Sequence, residues 1–281
     1  MSGARFVLIR VLSVMRGILW GVRTERALGE VPWRAHPPVE PVTVSGVVTV
    51  VHVSGGGRRV ASSLVEAADR PYEEVSPVRA IPAYRGQRSL PGWWWSATTG
   101  GHVVFESWVE RHHIMEFDRT PWVTGISGQP FALVWTEGSK RRSHVPDLFV
   151  RSGDGRAAVV DCRPADRADE EFYRVAGITA GVCVRIGWDY VLAGEPEPVR
   201  ATNLRWLAGY RRPYVRVGGI AEGLLAAAVA AGPRPLIDLA ESVGDPVAVL
   251  PTLFHLLWAG VLIGDLARPL RDDTVVSGAD A

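Results

Sequence analysis

Apolar and polar positions change period clearly in the middle of the chain. FALVWTE (131–137), SHVPDLFVR (143–151) and AAVVDCR (157–163) are short, apolar and β-rich, and EGSKRR (137–142) and SGDG (152–155) turn the chain between them. They predict a three-strand meander, preceded by a short strand at WVTGI (122–126). Upstream, HVVFESWVERHHIMEF (102–117) sets Val104, Phe105, Trp108, Val109, His112 and Met115 on one broad stripe at helical spacing. Thr98 or Thr99 is the expected cap and Pro121 the stop. Downstream, ADRADEEFYRVAGITAGVCVRIG (165–187) predicts a second helix, with acids in the first turns where the helix dipole favours them. WDYVLA (188–193) predicts a last strand. The order is helix, three-strand meander, helix, strand, which is an α/β arrangement.

The flanks read differently. Residues 1–75 look like an extension: RAHPPVEPV (34–42) and SGGGRR (54–59) are linker or hairpin signals around the strand-like VSGVVTVVHV (44–53). Phe6–Trp20 is apolar but broken by Arg10 and Arg16, and it is too short to span a bilayer. It reads as a basic amphipathic helix or as a loose end of the chain. Gly219–Ala231 is likewise too short to cross a membrane. After Pro198, short helices alternate with Gly and Pro, and LLWAGVLIGDLARPL looks like the end of a recognition helix followed by a small wing. The expected division is an extension (1–75), a catalytic domain (76–197) and a small helical, winged-helix domain (198–281).

Composition narrows the classes. The 281 residues are 47% hydrophobic and 22% charged, ordinary for a soluble protein. A net charge of +1 gives no global case for nucleic acid, so any basic surface is local. Two cysteines, Cys162 and Cys183, make neither a disulfide framework nor a zinc site, and suit a reducing cytoplasm. Lys140 is the only lysine among 31 basic residues.

The candidate chemistry lies in the hairpin 143–163. If its loop is symmetric about Asp154, Asp147 faces Asp161. Like charges opposed across a ladder are destabilising, and a hard divalent cation with oxygen ligands, Mg²⁺ or Mn²⁺, resolves the conflict. Asp161 and Arg163, two apart, share one face of the strand, whereas Cys162 points away and offers only its backbone carbonyl. Glu106, with Glu110 one turn on, supplies a third acid from the preceding helix. Gln129 can hydrogen-bond near the site. His112 and His113 point about 100° apart on a helix and cannot chelate one ion. His144, three residues before Asp147 on a strand, is expected on the opposite face and structural. Trp93, Trp94 and Trp95 read as packing or partner-facing rather than base-stacking. Arg141, Arg142, Arg211 and Arg212 are candidate phosphate contacts.

Glu106, Pro146-Asp147 and Asp161-Cys162-Arg163 together resemble the PD-(D/E)xK nuclease signature, whose superfamily has an αβββαβ core with a mixed sheet. YRGQRSLPGWWWSATTGGHVVFESWVERHH, SGQPFALVW, RRSHVPDLFV, VVDCRPADR and NLRWLAGYRRP resemble the TnsA-like endonuclease subunits of heteromeric transposases over about Pro77–Arg212. The resemblance implies a Mg²⁺-dependent endonuclease that cuts one strand at each transposon end. Its implied partners are a DDE-type transposase subunit and an ATP-dependent regulator. It places the family's helix glutamate on Glu106, its metal aspartate on Asp147, its third acidic or amide position on Asp161 and its lysine on Arg163. Arginine stays protonated and cannot serve as a base, so Arg163 would orient water or neutralise charge. The same departure also allows a catalytically weak DNA- and partner-binding subunit with a degenerate site.

Overall fold

The computed structural model describes residues 33–37, 39–80 and 90–279. Phe6–Trp20 and residues 81–89 lie outside the described residues. In chain order the elements begin with β1 (Trp33–Ala35), β2 (Thr49–Val53), β3 (Arg59–Ser63), α1 (Leu64–Ala68), β4 (Gly92–Trp95), β5 (His102–Phe105) and α2 (Trp108–Asp118). They continue with β6 (Val123–Gly128), β7 (Phe131–Glu137), β8 (Lys140–His144), β9 (Leu148–Ser152), β10 (Ala157–Cys162), α3 (Glu170–Ile186) and β11 (Asp189–Pro196). The last are α4 (Pro198–Leu207), α5 (Gly218–Ala231), β12 (Arg234–Pro235), α6 (Leu236–Glu241), α7 (Pro246–Trp258), β13 (Leu262–Gly264) and β14 (Val275–Gly278). The fold is mixed α/β, and no helix among the described residues is long and apolar enough to cross a membrane.

The chain forms two compact units. The first takes described residues from Met1–Gly86 and Ser127–Glu195, the second from Gln87–Ile126 and Pro196–Ala281. A division is seen at 195/196, two residues from the expected 197/198, but none at 75/76. Residues 39–75 are not a loose extension, because their apolar positions are spent in the core of the first unit. Val48, Val50, Leu64, Ala67 and Tyr72 pack with Phe131, Trp135, Phe149, Val159, Ile178 and Trp188. Val42 also crosses α3 closely: its amide donates to the Gly177 carbonyl at 2.8 Å. A Cβ at Gly181 would lie 2.2 Å from the Val42 carbonyl oxygen, so only glycine fits there.

Two sheets carry the first unit. One has the order β3-β2-β7-β8 and the other β1-β11-β10-β9-β6. In the second, β10 runs parallel to β11 and antiparallel to β9. The expected three-strand meander is therefore two hairpins in two sheets. The stretch 143–151 does not form one strand: β8 ends at His144 and β9 starts at Leu148. Pro146 lies in the gap. Proline has no amide hydrogen for a ladder, and a chain changing sheets can place it there.

The helix expected over 102–117 is half strand. His102–Phe105 pairs with Gly92–Trp95, and the helix starts only at Trp108. Its cap is Ser107, not Thr98 or Thr99. The Ser107 hydroxyl accepts the Glu110 amide at 3.2 Å, and the Glu110 carboxylate accepts the Glu106 amide at 2.7 Å. The Ser107 hydroxyl thus satisfies one helix-start donor, and the Glu110 carboxylate ties down the amide before the cap.

Within the second unit, α2 packs with the C-terminal helices. Arg200 of α4 donates to both Glu116 oxygens of α2 at 2.7 and 2.9 Å. Asn203 pins residues 266–270 through bonds with the carbonyls of Leu266 and Arg268 and the amide of Leu270. After α5 the order is short strand, short helix, longer helix and a β-hairpin, with sheet order β12-β14-β13.

Candidate functional site

The hairpin β9–β10 has the anticipated register: Ala157 faces Arg151, Val159 faces Phe149, and Val160 faces Leu148. The turn fixes it. Gly155 takes a left-handed φ of 84°, and Ser152 and Arg156 close the loop backbone to backbone at 2.9 Å. One step beyond the last pair stand Asp147 and Asp161. Each carboxylate is fastened to the other strand. An Asp161 oxygen accepts the Asp147 amide at 3.3 Å, and an Asp147 oxygen accepts the Cys162 amide at 2.7 Å.

Asp161 is buried and almost saturated. His144 Nε2 lies 3.1 and 2.9 Å from its two oxygens, and the Tyr190 hydroxyl donates at 2.6 Å. Burial alone would raise the Asp161 pKa, but the His144 charge, its hydrogen bond and the Tyr190 hydroxyl hold it below the usual aspartate range. Burial would lower that of His144, and the Asp161 charge and hydrogen bond override it, so the imidazole holds its proton more tightly. Burial first, and then Asp161, pushes the Tyr190 phenol well up. The pair opposed across the hairpin is thus Asp147, half-buried, beside an Asp161 held by an imidazole that keeps its proton more tightly than usual.

His144 is not the opposite-face structural residue that its spacing suggests. The face rule assumes a continuous strand from 144 to 147, and the break at Pro146 removes that continuity. Tyr190 also escapes the sequence: it sits on β11, 29 residues past Asp161. Only the parallel pairing of β10 with β11 brings it near.

Gln129 adjoins the same backbone. Its amide donates to the Asp147 carbonyl at 2.9 Å, and its carbonyl accepts the Val78 amide at 2.8 Å. It is buried, has φ 51°, and its Nε2 has no hydrogen-bond partner among the described residues. A non-glycine residue held there stores strain, of the kind found at functional sites.

The remaining candidates separate. Arg163 stands just past the end of β10, its amide still bonded to the Ala193 carbonyl at 2.9 Å; it is exposed where Asp161 is buried, and its guanidinium lies 5.3 Å from the Phe172 ring centroid and donates to the Arg167 carbonyl. Cys162 is buried as anticipated. Glu106 precedes α2 instead of lying on it, and it belongs to the second unit while the aspartates belong to the first. Glu110 caps α2. Arg141 and Arg142 are exposed on β8, with Arg142 3.4 Å from Glu137. Arg211 is a packing residue: it donates to the carbonyls of Trp95 and Ala208 and lies over the Trp94 ring. Arg212 stacks on Trp95.

As placed, these residues do not fit a magnesium ion. The oxygens that Asp161 would offer are held by His144, Tyr190 and the Asp147 amide. Among the described residues no group of three His, Cys, Asp or Glu side chains stands together as a metal-holding set. No family model matches the chain, and no curated protein matches it.

Proposed function

We propose that the protein is a DNA endonuclease subunit of a TnsA-like heteromeric transposase, hydrolysing one strand at the transposon ends. The observation that carries the reading is the pairing of Asp147 with Asp161 at the open end of the β9–β10 hairpin, directly after Pro146. That is where the PD…D-x-R pattern requires its acids. The order α2, β6, β9, β10, α3, β11, with β6, β9, β10 and β11 in one sheet, supports a PD-(D/E)xK core, with the β7–β8 hairpin of the other sheet as an insertion. The order α5, β12, α6, α7, β13, β14 supports a winged helix with β13–β14 as its wing.

The chain's own residues present a half-buried carboxylate, Asp147, against a locked one, Asp161, while Gln129 holds the Asp147 backbone. Magnesium, expected from the paired acids, does not fit them as placed, so no step of hydrolysis is assigned to it. This favours a second reading, a DNA- and partner-binding subunit whose nuclease site is worn. Arg163, turned onto Phe172, points the same way.

One experiment separates the two. The protein, its transposase and its ATP-dependent regulator are assembled on labelled transposon ends with Mg²⁺ or Mn²⁺, and strand nicks are read on a denaturing gel. Nicking by wild type, lost in Asp147→Ala, supports the endonuclease. Absence of nicking, restored by Arg163→Lys, supports the worn site. Nicking that persists in Asp147→Ala overturns the assignment of the acids.

A further inference from the structure

We propose that the β4–β5 hairpin and the arginines packed on it form a single-stranded DNA platform in the second unit. The inference rests on the reading that the protein handles DNA, but it does not need hydrolysis.

Trp93 and Trp95 are two apart on β4 and share one face, with Trp94 on the other. Trp94 is buried, and its indole donates to Asp118 at 2.8 Å. Trp93 is 62% exposed, and Trp108, at the start of α2, is 55% exposed. Two open indoles in one unit leave large flat apolar faces in water.

Arginines are stacked on this aromatic set. Arg212 lies 3.8 Å from the centroid of Trp95, on the Trp93 face, while Arg211, 4.1 Å from Trp94, and Arg111, 4.7 Å from Trp108 and 5.6 Å from Trp94, adjoin the Trp94 ring of the other face. A guanidinium laid flat on a ring has lost much of its freedom and can turn its donor edge to a phosphate; Arg211, bonded to the Trp95 and Ala208 carbonyls, holds the hairpin instead.

The cations also crowd one another. Burial first, and then Arg205, draws the Arg111 pKa down; burial and then Arg212 draw down that of Arg211, against a smaller opposing pull from Asp118. Asp118 is already committed: it accepts from Trp94, the Ser96 hydroxyl and the amides of Ala97 and Thr98. Arginines held in mutual repulsion gain most from an incoming anion. Open indoles select bases as the accompanying group, and bases offer their faces only when unpaired.

The test is fluorescence anisotropy of the full chain with a labelled single strand of about 15 nucleotides and with the matching duplex. Wild type is expected to prefer the single strand, with affinity falling as salt rises. Trp93→Ala, on an exposed side chain, should weaken single-strand binding about tenfold. Arg212→Gln should weaken it and flatten the salt slope by about one unit. Circular dichroism confirms that both variants fold. Equal binding by wild type and both variants overturns the platform, as does competition by polyglutamate as strong as by DNA, which marks a protein-binding surface instead. If wild type nicks transposon ends in the assembled complex yet these variants bind like wild type, the platform fails and the endonuclease reading stands. If wild type binds no DNA and does not nick, both fail.

Discussion

His144 and Asp161, 17 residues apart and on strands of different sheets, are bound through both carboxylate oxygens. The imidazole takes the place that a cation would take beside a buried acid. This relationship sets the state of the whole site.

Removing one partner leaves a buried charge exposed to its own desolvation cost. His144→Ala should therefore destabilise the protein by about 3–5 kcal/mol, and His144→Ala combined with Asp161→Asn should recover much of that loss. Urea unfolding of the two singles and the double measures the coupling. Additive losses would mean that the pair is not an energetic unit.

Gln129 should show the opposite trade. Gln129→Gly relieves the left-handed backbone and removes a buried donor that has no partner among the described residues, so stability should be unchanged or gain about 1 kcal/mol, while Gln129→Ala should lose stability. Thermal melting reads both. If the strain serves the Asp147 backbone, Gln129→Gly also loses strand cleavage.

The Glu116–Arg200 pair gives a pH signature. Burial would raise the Glu116 pKa, but His112 and Arg200 bring it down to about 2 from an ordinary 4.5. A depressed carboxylate stabilises above its unfolded value and loses that contribution as pH falls through the folded one. Stability worth about 3 kcal/mol should fade between pH 4.5 and 2, and Glu116→Gln should flatten that slope. Urea midpoints across this range measure it.

How much was legible follows from where each signal lay. The β9–β10 register was readable because SGDG is a tight loop with glycine where φ is positive, so partner positions follow by counting. The succession helix, strands, helix, strand from α2 to β11 was readable from periodicity, but β8 was not, because its residues were read as a turn and the start of the next strand. The break at Pro146 was visible but was read as lying inside a strand, and with it went His144. The role of residues 48–72 was hidden because β2 pairs with β7, some 80 residues on, and no local pattern announces such a partner. The Ser107 cap was written in the sequence, yet HVVF and the residues after it also fit one helical stripe.

The central claim is that Asp147, set against Asp161, serves strand cleavage. Its most direct measurement is nicking at labelled transposon ends by the assembled complex with Mg²⁺, comparing wild type with Asp147→Asn. Asparagine keeps a carbonyl for the Cys162 amide, so the fold survives while the charge is lost. The account predicts nicking by wild type and a loss of about 100-fold or more in the variant. Equal nicking by the two proteins would contradict it.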